Sequence, residues 1–394
     1  MKRVVITGLG IISSIGNNKK QVLSSLKNVT SGITFSKEMK RFGLKSHVWG
    51  KIKLNNIKIN RSILKFMNPA SIYSYYSMKQ AIKDSQLKKN IYQKNYRVGI
   101  ITGVGCNFFF NNLFLKKNPY FLIQNMMSNI SACLSTYYHI FGISYSISSA
   151  CATSSNCIYH AFELIKSGKQ DIMFAGGAEE LSCELAYQFD LINSLSVKYN
   201  NNPKISSRPY DINRDGFVIS GGSGIIVLEE LEHALSRNAN IYAEILSCGS
   251  TSDGNNMIRS SGLGLIKAMK IAMKGSGNII IDYINTHGTS TKLGDLVELK
   301  SIKKVFKNFI PYISSTKSLT GHGLGASGVQ EIIYTILMMN NNFIAPSINI
   351  KNLEPFAKNM NIVCNLKKYN IISSMSNSCG FGGVNVSIIL KKYY

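Results

Sequence analysis

Ser148-Ser149-Ala150-Cys151-Ala152-Thr153-Ser154-Ser155 sets one thiol in a run of small residues. Just upstream, from Ile143 to Ile147, apolar and polar side chains alternate with the period of a strand. Downstream, Ile158, Ala161, Phe162 and Ile165 recur at helical spacing until Gly168. The stretch therefore predicts a strand, a tight turn and a helix that starts at Cys151. Unpaired N–H groups and the positive dipole end at such a start favour a thiolate. The small neighbours leave room for a substrate. Taken alone, the cysteine reads more readily as a buried, inert thiol.

Working outward, short apolar runs alternate with helical patterns along the whole chain. Val4 to Ile6 reads as a buried strand, turned by Thr7-Gly8-Leu9-Gly10. That T-G-x-G lacks the third glycine and the acidic residue of a dinucleotide loop, so no nucleotide site is expected. Further strands are expected at 98–102, 171–174, 225–228, 242–246, 279–284, 311–315 and 386–390. Helices are expected at 20–26, 68–82, 231–237, 264–273, 294–306 and 329–339. The two halves echo each other. Cys151-Ala152-Thr153-Ser154 opens a helix, as does Gly325-Ala326-Ser327-Gly328; Gly216-Phe217 before a glycine pair matches Gly380-Phe381-Gly382-Gly383. The pattern predicts an α/β fold with a duplicated βαβ unit, divided into 1–240 and 241–394, with layered sheets and parallel strands.

Composition narrows the partners. The 394 residues carry 45 Lys and Arg against 20 Asp and Glu, a net charge of +25. Such a charge suits an acidic partner. The joint abundance of Lys, Asn, Ile and Tyr also follows from AT-rich codons, which assigns part of the charge to drift on a solvated surface. Aromatics do not interleave with basic clusters, so nucleic acid is not expected. Residues 118–162 hold no Lys, Arg, Asp or Glu, yet Gln124, Asn125, Asn129, His139 and many serines break any membrane-length apolar block. The N-terminus runs straight into a strand and does not read as a signal peptide. Eight cysteines without a C-x-x-C pair read as reduced thiols of a cytoplasmic protein, and no structural metal is expected.

Three chemical groups fall at expected strand ends, where α/β folds build their sites. They are Cys151, His287 in Asn285-Thr286-His287-Gly288-Thr289-Ser290-Thr291, and His322 in Gly321-His322-Gly323-Leu324-Gly325. Lys317 stands five residues before His322. One thiol and two imidazoles in loops of Gly, Ser and Thr supply a nucleophile and two groups able to donate hydrogen bonds or move protons. Backbone N–H groups of the 380–383 loop could complete an oxyanion hole with that of Cys151.

These motifs, with S-S-A-C-A-T-S and the terminal G-F-G-G, resemble the β-ketoacyl-[acyl-carrier-protein] synthases, most of all their synthase I branch. The resemblance runs from Met1 to the last strand. It implies a thiolase-like fold, five-layered α-β-α-β-α with two similar halves, working as a homodimer without a cofactor. The implied reaction is a decarboxylating Claisen condensation in fatty acid elongation, between an acyl group on Cys151 and malonyl-acyl carrier protein. His287 and His322 would hold the malonyl thioester oxygen, and Lys317 would order the site through Glu298. The oxyanion would lie on the N–H groups of Cys151 and Phe381, the latter also matching a gating residue. Thr289 and Thr291 would support the site. Arg61, Lys65, Lys116 and Lys117 would help dock the carrier. The chain departs from the family pattern in a shorter segment between Gly105 and Ser131, in Cys379 for a phenylalanine, in Val384 for a threonine and in Ser62 for a lysine. A coenzyme A-dependent enzyme of the same fold, a non-catalytic partner subunit and a basic nucleic-acid binder are the rival readings; Lys317 with its glycine-rich His322 loop and the retained Cys151 count against them.

Overall fold

The structure, a computed structural model, describes every residue except 55–57, 107–117 and 308. Lys116 and Lys117 thus lie outside the described residues. Each half of the chain runs through the same eight principal elements in the same order. The first half holds β1 (Val4–Ile12), α1 (Pro69–Asp84), β2 (Val98–Val104), α2 (Asn129–Tyr138), β3 (Ser144–Ser146), α3 (Thr153–Lys166), β4 (Ile172–Glu179) and β5 (Gly222–Glu230). The second holds β6 (Ala243–Ser252), α4 (Leu263–Gly275), β7 (Tyr283–Asn285), α5 (Lys292–Phe306), β8 (Tyr312–Ser314), α6 (Ser327–Asn340), β9 (Ser373–Gly380) and β10 (Val384–Lys392).

The strand order is β8-β7-β9-β10-β6-β1-β5-β4-β2-β3. Read outward from its middle, this is 1-5-4-2-3 on one side and 6-10-9-7-8 on the other. In both, the three outer strands are parallel and the two inner ones antiparallel. The duplication expected from the loop motifs is therefore present in the topology. The halves join where Val4, Val5 and Ile6 pair antiparallel with Ile245, Glu244 and Ala243.

The layers follow from which faces are apolar. In α6 every residue from Ser327 to Met339 is buried, so the helix must lie inside the protein. It packs against α3, and these two form the middle layer between the two sheet halves. Outside, α1 and α2 cover the first half-sheet and α4 the second, joined there by α5, whose Leu299 and Ile302 share a core with Ile284, Ile313 and Met375. The result is the α-β-α-β-α stack. Strands β4 and β5 are buried along their full length, as continuous apolar runs between helical layers should be.

Some local expectations change. Thr7-Gly8-Leu9-Gly10 does not turn the chain; β1 continues through it, with a bulge between Ile6 and Gly8. The glycines are there because α1 lies on them: a Cβ on Gly10 would sit 1.8 Å from the Ser77 carbonyl oxygen. The strand expected at 279–284 is paired only over Tyr283–Asn285. The apolar residues before it include Ile280, which is exposed.

Candidate active site

Cys151 sits in the turn between β3 and α3, with the helix beginning two residues later at Thr153. The turn is tight because Ala150 takes a left-handed conformation, φ +49°. Thr153 secures it: its hydroxyl donates to the Ala150 carbonyl at 2.7 Å and accepts the Ser149 N–H at 2.8 Å. The second half repeats the device. Leu324, three residues before α6 as Ala150 is before α3, is also left-handed at φ +48°. A strained non-glycine residue at both turns points to a conformation fixed by its surroundings.

Cys151, His287, Thr289, Thr291, His322, Leu324, Cys379 and Phe381 line one cavity of about 630 Å³. The imidazoles of His287 and His322 meet edge to face, their centroids 5.1 Å apart at 85°. Phe217 packs on the other side of His322 at 5.4 Å. His322 Nδ1 is bonded to the Ser327 hydroxyl at 2.9 Å. Phe381 is 38 % exposed beside Phe189, the rings 6.2 Å apart. The main chain before it presses on the nucleophile turn: a Cβ on Gly380 would lie 2.8 Å from the Ser149 carbonyl oxygen and 3.3 Å from the Cys151 nitrogen.

Burial holds both histidines well below their ordinary value, and the Lys317 charge adds to it. They are neutral imidazoles, each with one N–H to give. The expected thiolate does not stand. Burial pushes the Cys151 thiol up to about 12; Cys106 and Glu179 add to the rise, and Lys317 opposes it. Desolvation here outweighs the pull of Lys317.

Lys317 and Glu298 lie behind this lining, and their pairing differs from expectation. Lys317 Nζ is paired with Glu331 of α6, and both side chains are 2 % exposed. Glu298 instead accepts the N–H groups of His287 at 2.9 Å and Gly288 at 2.8 Å. It is thus a clamp on the histidine loop. Each of its oxygens accepts one main-chain donor, and the Lys317 charge acts on it only through space. Burial raises Glu298 and Glu331 to about 7 each, against the pull of their partners.

Two further features had no clear signal in the sequence. Glu179, at the end of β4, accepts the N–H groups of Gly105 and Gly325 at 2.9 Å and of Cys106 at 3.1 Å. It ties the loop after β2 to the one before α6. The cavity rim carries Lys45, Lys198, Arg259 and Lys292. Against these four cations stand two carboxylates, Asp190 and Asp215, each held by main-chain N–H groups, so the rim is positive on balance. Arg61 and Lys65 are exposed and do not line the cavity; the Lys65 ammonium lies 5.0 Å from the ring centres of Phe66 and Tyr120.

Among the described residues no group of three or more His, Cys, Asp or Glu is placed to hold a metal. Asn285 Oδ1, Glu331 Oε2, Ser376 Oγ and His287 Nδ1 are buried without a hydrogen-bond partner among them.

A thiol, two neutral imidazoles and a strained turn thus meet at one cavity of a duplicated α/β fold. The chain belongs to the β-ketoacyl synthase family: the N-terminal domain of that family matches residues 1–234 and the C-terminal domain residues 242–351. It is 58 % identical to the 3-oxoacyl-[acyl-carrier-protein] synthase 1 of Buchnera aphidicola subsp. Acyrthosiphon pisum, with all of both chains covered. That alignment spans 407 positions against 394 residues here, so at least 13 positions of the relative lack a counterpart. Among solved structures it matches a β-ketoacyl synthase from Burkholderia phymatum with TM-score 0.94 at 31 % identity, all of both chains covered. It also matches a type II polyketide ketosynthase in complex with its acyl-carrier protein, with TM-score 0.88 at 26 % identity over all of both chains.

Proposed function

We propose that this chain is an acyltransferase of fatty acid elongation, a 3-oxoacyl-[acyl-carrier-protein] synthase of the synthase I type. It joins an acyl group on Cys151 to malonyl-acyl carrier protein, giving 3-oxoacyl-acyl carrier protein and carbon dioxide. The observation that carries this is the meeting of Cys151, His287 and His322 at one cavity. The reaction has two halves. First, Cys151 sulfur attacks the acyl thioester, the carrier thiol leaves with the proton, and an acyl-Cys151 thioester remains. Second, the malonyl thioester loses carbon dioxide, and the electron pair of the broken bond forms an enolate. Neutral His287 and His322 donate to its oxygen. The enolate carbon then attacks the acyl carbonyl, and the Cys151 thiolate leaves and takes up a proton.

Donors aimed at charge that appears only in the transition state act strongly in a dry cavity. The N–H groups of Cys151 and Phe381 would serve the tetrahedral oxyanion, consistent with Gly380 lying against the Cys151 turn. Lys317, paired with Glu331, supplies a fixed positive charge behind the site. Thr289 and Thr291, whose hydroxyls are 3.1 Å apart, line the cavity and would support the site from there. An acidic carrier fits the electropositive rim, and Arg61 and Lys65 would extend its footprint.

The working form is proposed to be a homodimer with halves 1–240 and 241–394. Among the described residues β3 ends the sheet, and Tyr145 within it and Phe141 just before it are exposed, a face suited to a second copy. No helix among the described residues is long and apolar enough to cross a membrane; a cytoplasmic location is proposed. The test is to supply the protein with acyl- and malonyl-carrier protein. A 3-oxoacyl product two carbons longer, with release of carbon dioxide, supports the reading; no product refutes it.

A further inference from the structure

Arg214 belongs to the first half of the chain and is buried, with 2 % exposure. Most of its bonds cross to the second half. Nε donates to the Thr291 carbonyl at 3.1 Å and lies 3.3 Å from Asp295 Oδ2. Nη2 donates to the Lys292 carbonyl at 2.6 Å. Nη1 donates to Glu354 Oε2 at 2.9 Å and to the Asp211 carbonyl at 2.8 Å. Three main-chain carbonyls and two carboxylates around one planar fork is an arrangement an ammonium cannot reproduce.

The grip falls on the loop between β7 and α5, residues 286–291, and on Lys292 that follows. Asp295 passes it on: it accepts the N–H groups of Ser290 and Tyr210, each at 3.1 Å. Ser290 has φ +72°, a left-handed conformation that a serine keeps only under restraint. All three of its polar groups are held, since its carbonyl accepts the Gly216 N–H at 3.2 Å and its hydroxyl the Arg208 N–H at 3.0 Å. Its neighbours in this loop are His287, Thr289 and Thr291. The turn that carries Cys151 has no hydrogen bond or ion pair to Arg214.

We propose that Arg214 is a positioning residue for one half-reaction only. It locks the His287 loop in the geometry that decarboxylates the malonyl thioester, while acyl loading of Cys151 proceeds without it. This rests on the functional reading above, in which His287 serves the malonyl group. Loss of the fork would let Ser290 relax and would leave Asp295 buried without the guanidinium that faces it.

The test uses the full chain with Arg214→Lys and Glu354→Gln. Acyl loading of Cys151 is followed by intact mass, and carbon dioxide release from malonyl carrier protein by kcat and KM. The expected result for Arg214→Lys is loading within about twofold of the parent, and carbon dioxide release lower by about tenfold or more, mainly in kcat. Glu354→Gln shifts the same ratio in the same direction by less, and decides alone if Arg214→Lys does not fold. Loading and release that change together, or not at all, overturn the inference. A parent inactive on both carrier substrates overturns the functional reading, and this inference with it; an active parent with an unmoved ratio overturns this inference alone.

Discussion

His287 and His322, from loops on either side of β8, meet edge to face with ring centres 5.1 Å apart. Burial keeps both neutral, so no proton needs to be lost before they donate to an oxygen. The pH dependence of decarboxylation follows. Their pKa values lie well below 6.5, so any histidine-linked fall in carbon dioxide release comes below about pH 6.5, while Glu298 and Glu331, raised to about 7, are the groups that shape the profile between about pH 6.5 and about pH 8. A fall near pH 6.5 that persists in both Glu298→Gln and Glu331→Gln would contradict the neutral pair. His287→Ala should lower release by about 10²–10³, the usual effect of losing one such donor.

The Cys151 thiol is pushed up to about 12. Below that value the thiolate fraction grows about tenfold per pH unit. Alkylation of Cys151 by iodoacetamide, followed by peptide mapping, should rise in that proportion between about pH 7 and about pH 9. A plateau reached below about pH 8 would show a thiol activated by the helix start after all. Lys317→Met removes the charge that opposes the rise and should slow alkylation at every pH in the range.

Glu179 is fully buried, and burial lifts it to about 8 despite its three N–H donors. Its folded value lies above its unfolded value of 4.5. The stability it contributes is therefore complete below the unfolded value and is lost as pH rises through the folded one. Thermal melts should show the parent losing more Tm than Glu179→Gln between about pH 5 and about pH 9. An equal or smaller loss in the parent would refute the assignment. Below that range the variant is the weaker protein, because a glutamine amide cannot accept all three donors.

That Cys151, His287 and His322 come together at one cavity was legible because they stand in Gly, Ser and Thr loops at strand ends, where local sequence differs from core. Glu331 was not, because it sits among apolar residues inside α6 and its meaning depends on Lys317 from another loop. Glu179 ends a buried strand and likewise bonds only across the fold. The raised thiol was not legible for a related reason: the helix start is written in the sequence, but the burial that pushes the thiol up is not. Gly8 and Gly10 read as a turn because a glycine that admits a helix looks the same, in one dimension, as a glycine that bends a chain.

The contact between α3 and α6 carries its own test. A Cβ on Gly328 would come 2.0 Å from Ser155 Oγ, which is itself bonded to Ser378 Oγ at 2.8 Å. Neither helix has room to retreat, since each is flanked by a half-sheet. Gly328→Ala should cost about 1–3 kcal/mol in urea unfolding. A variant as stable as the parent would show that the two halves are not closely packed there.

The central claim is that Cys151 carries the acyl chain. Intact-mass and peptide analysis after exposure to acyl-carrier protein, with Cys151→Ala alongside, tests it most directly. The account predicts one acyl adduct on the parent, mapped to Cys151, and neither adduct nor condensation product from the variant. An adduct mapped to Cys379 or Cys106 instead, or a variant that condenses at the parental rate, would contradict it.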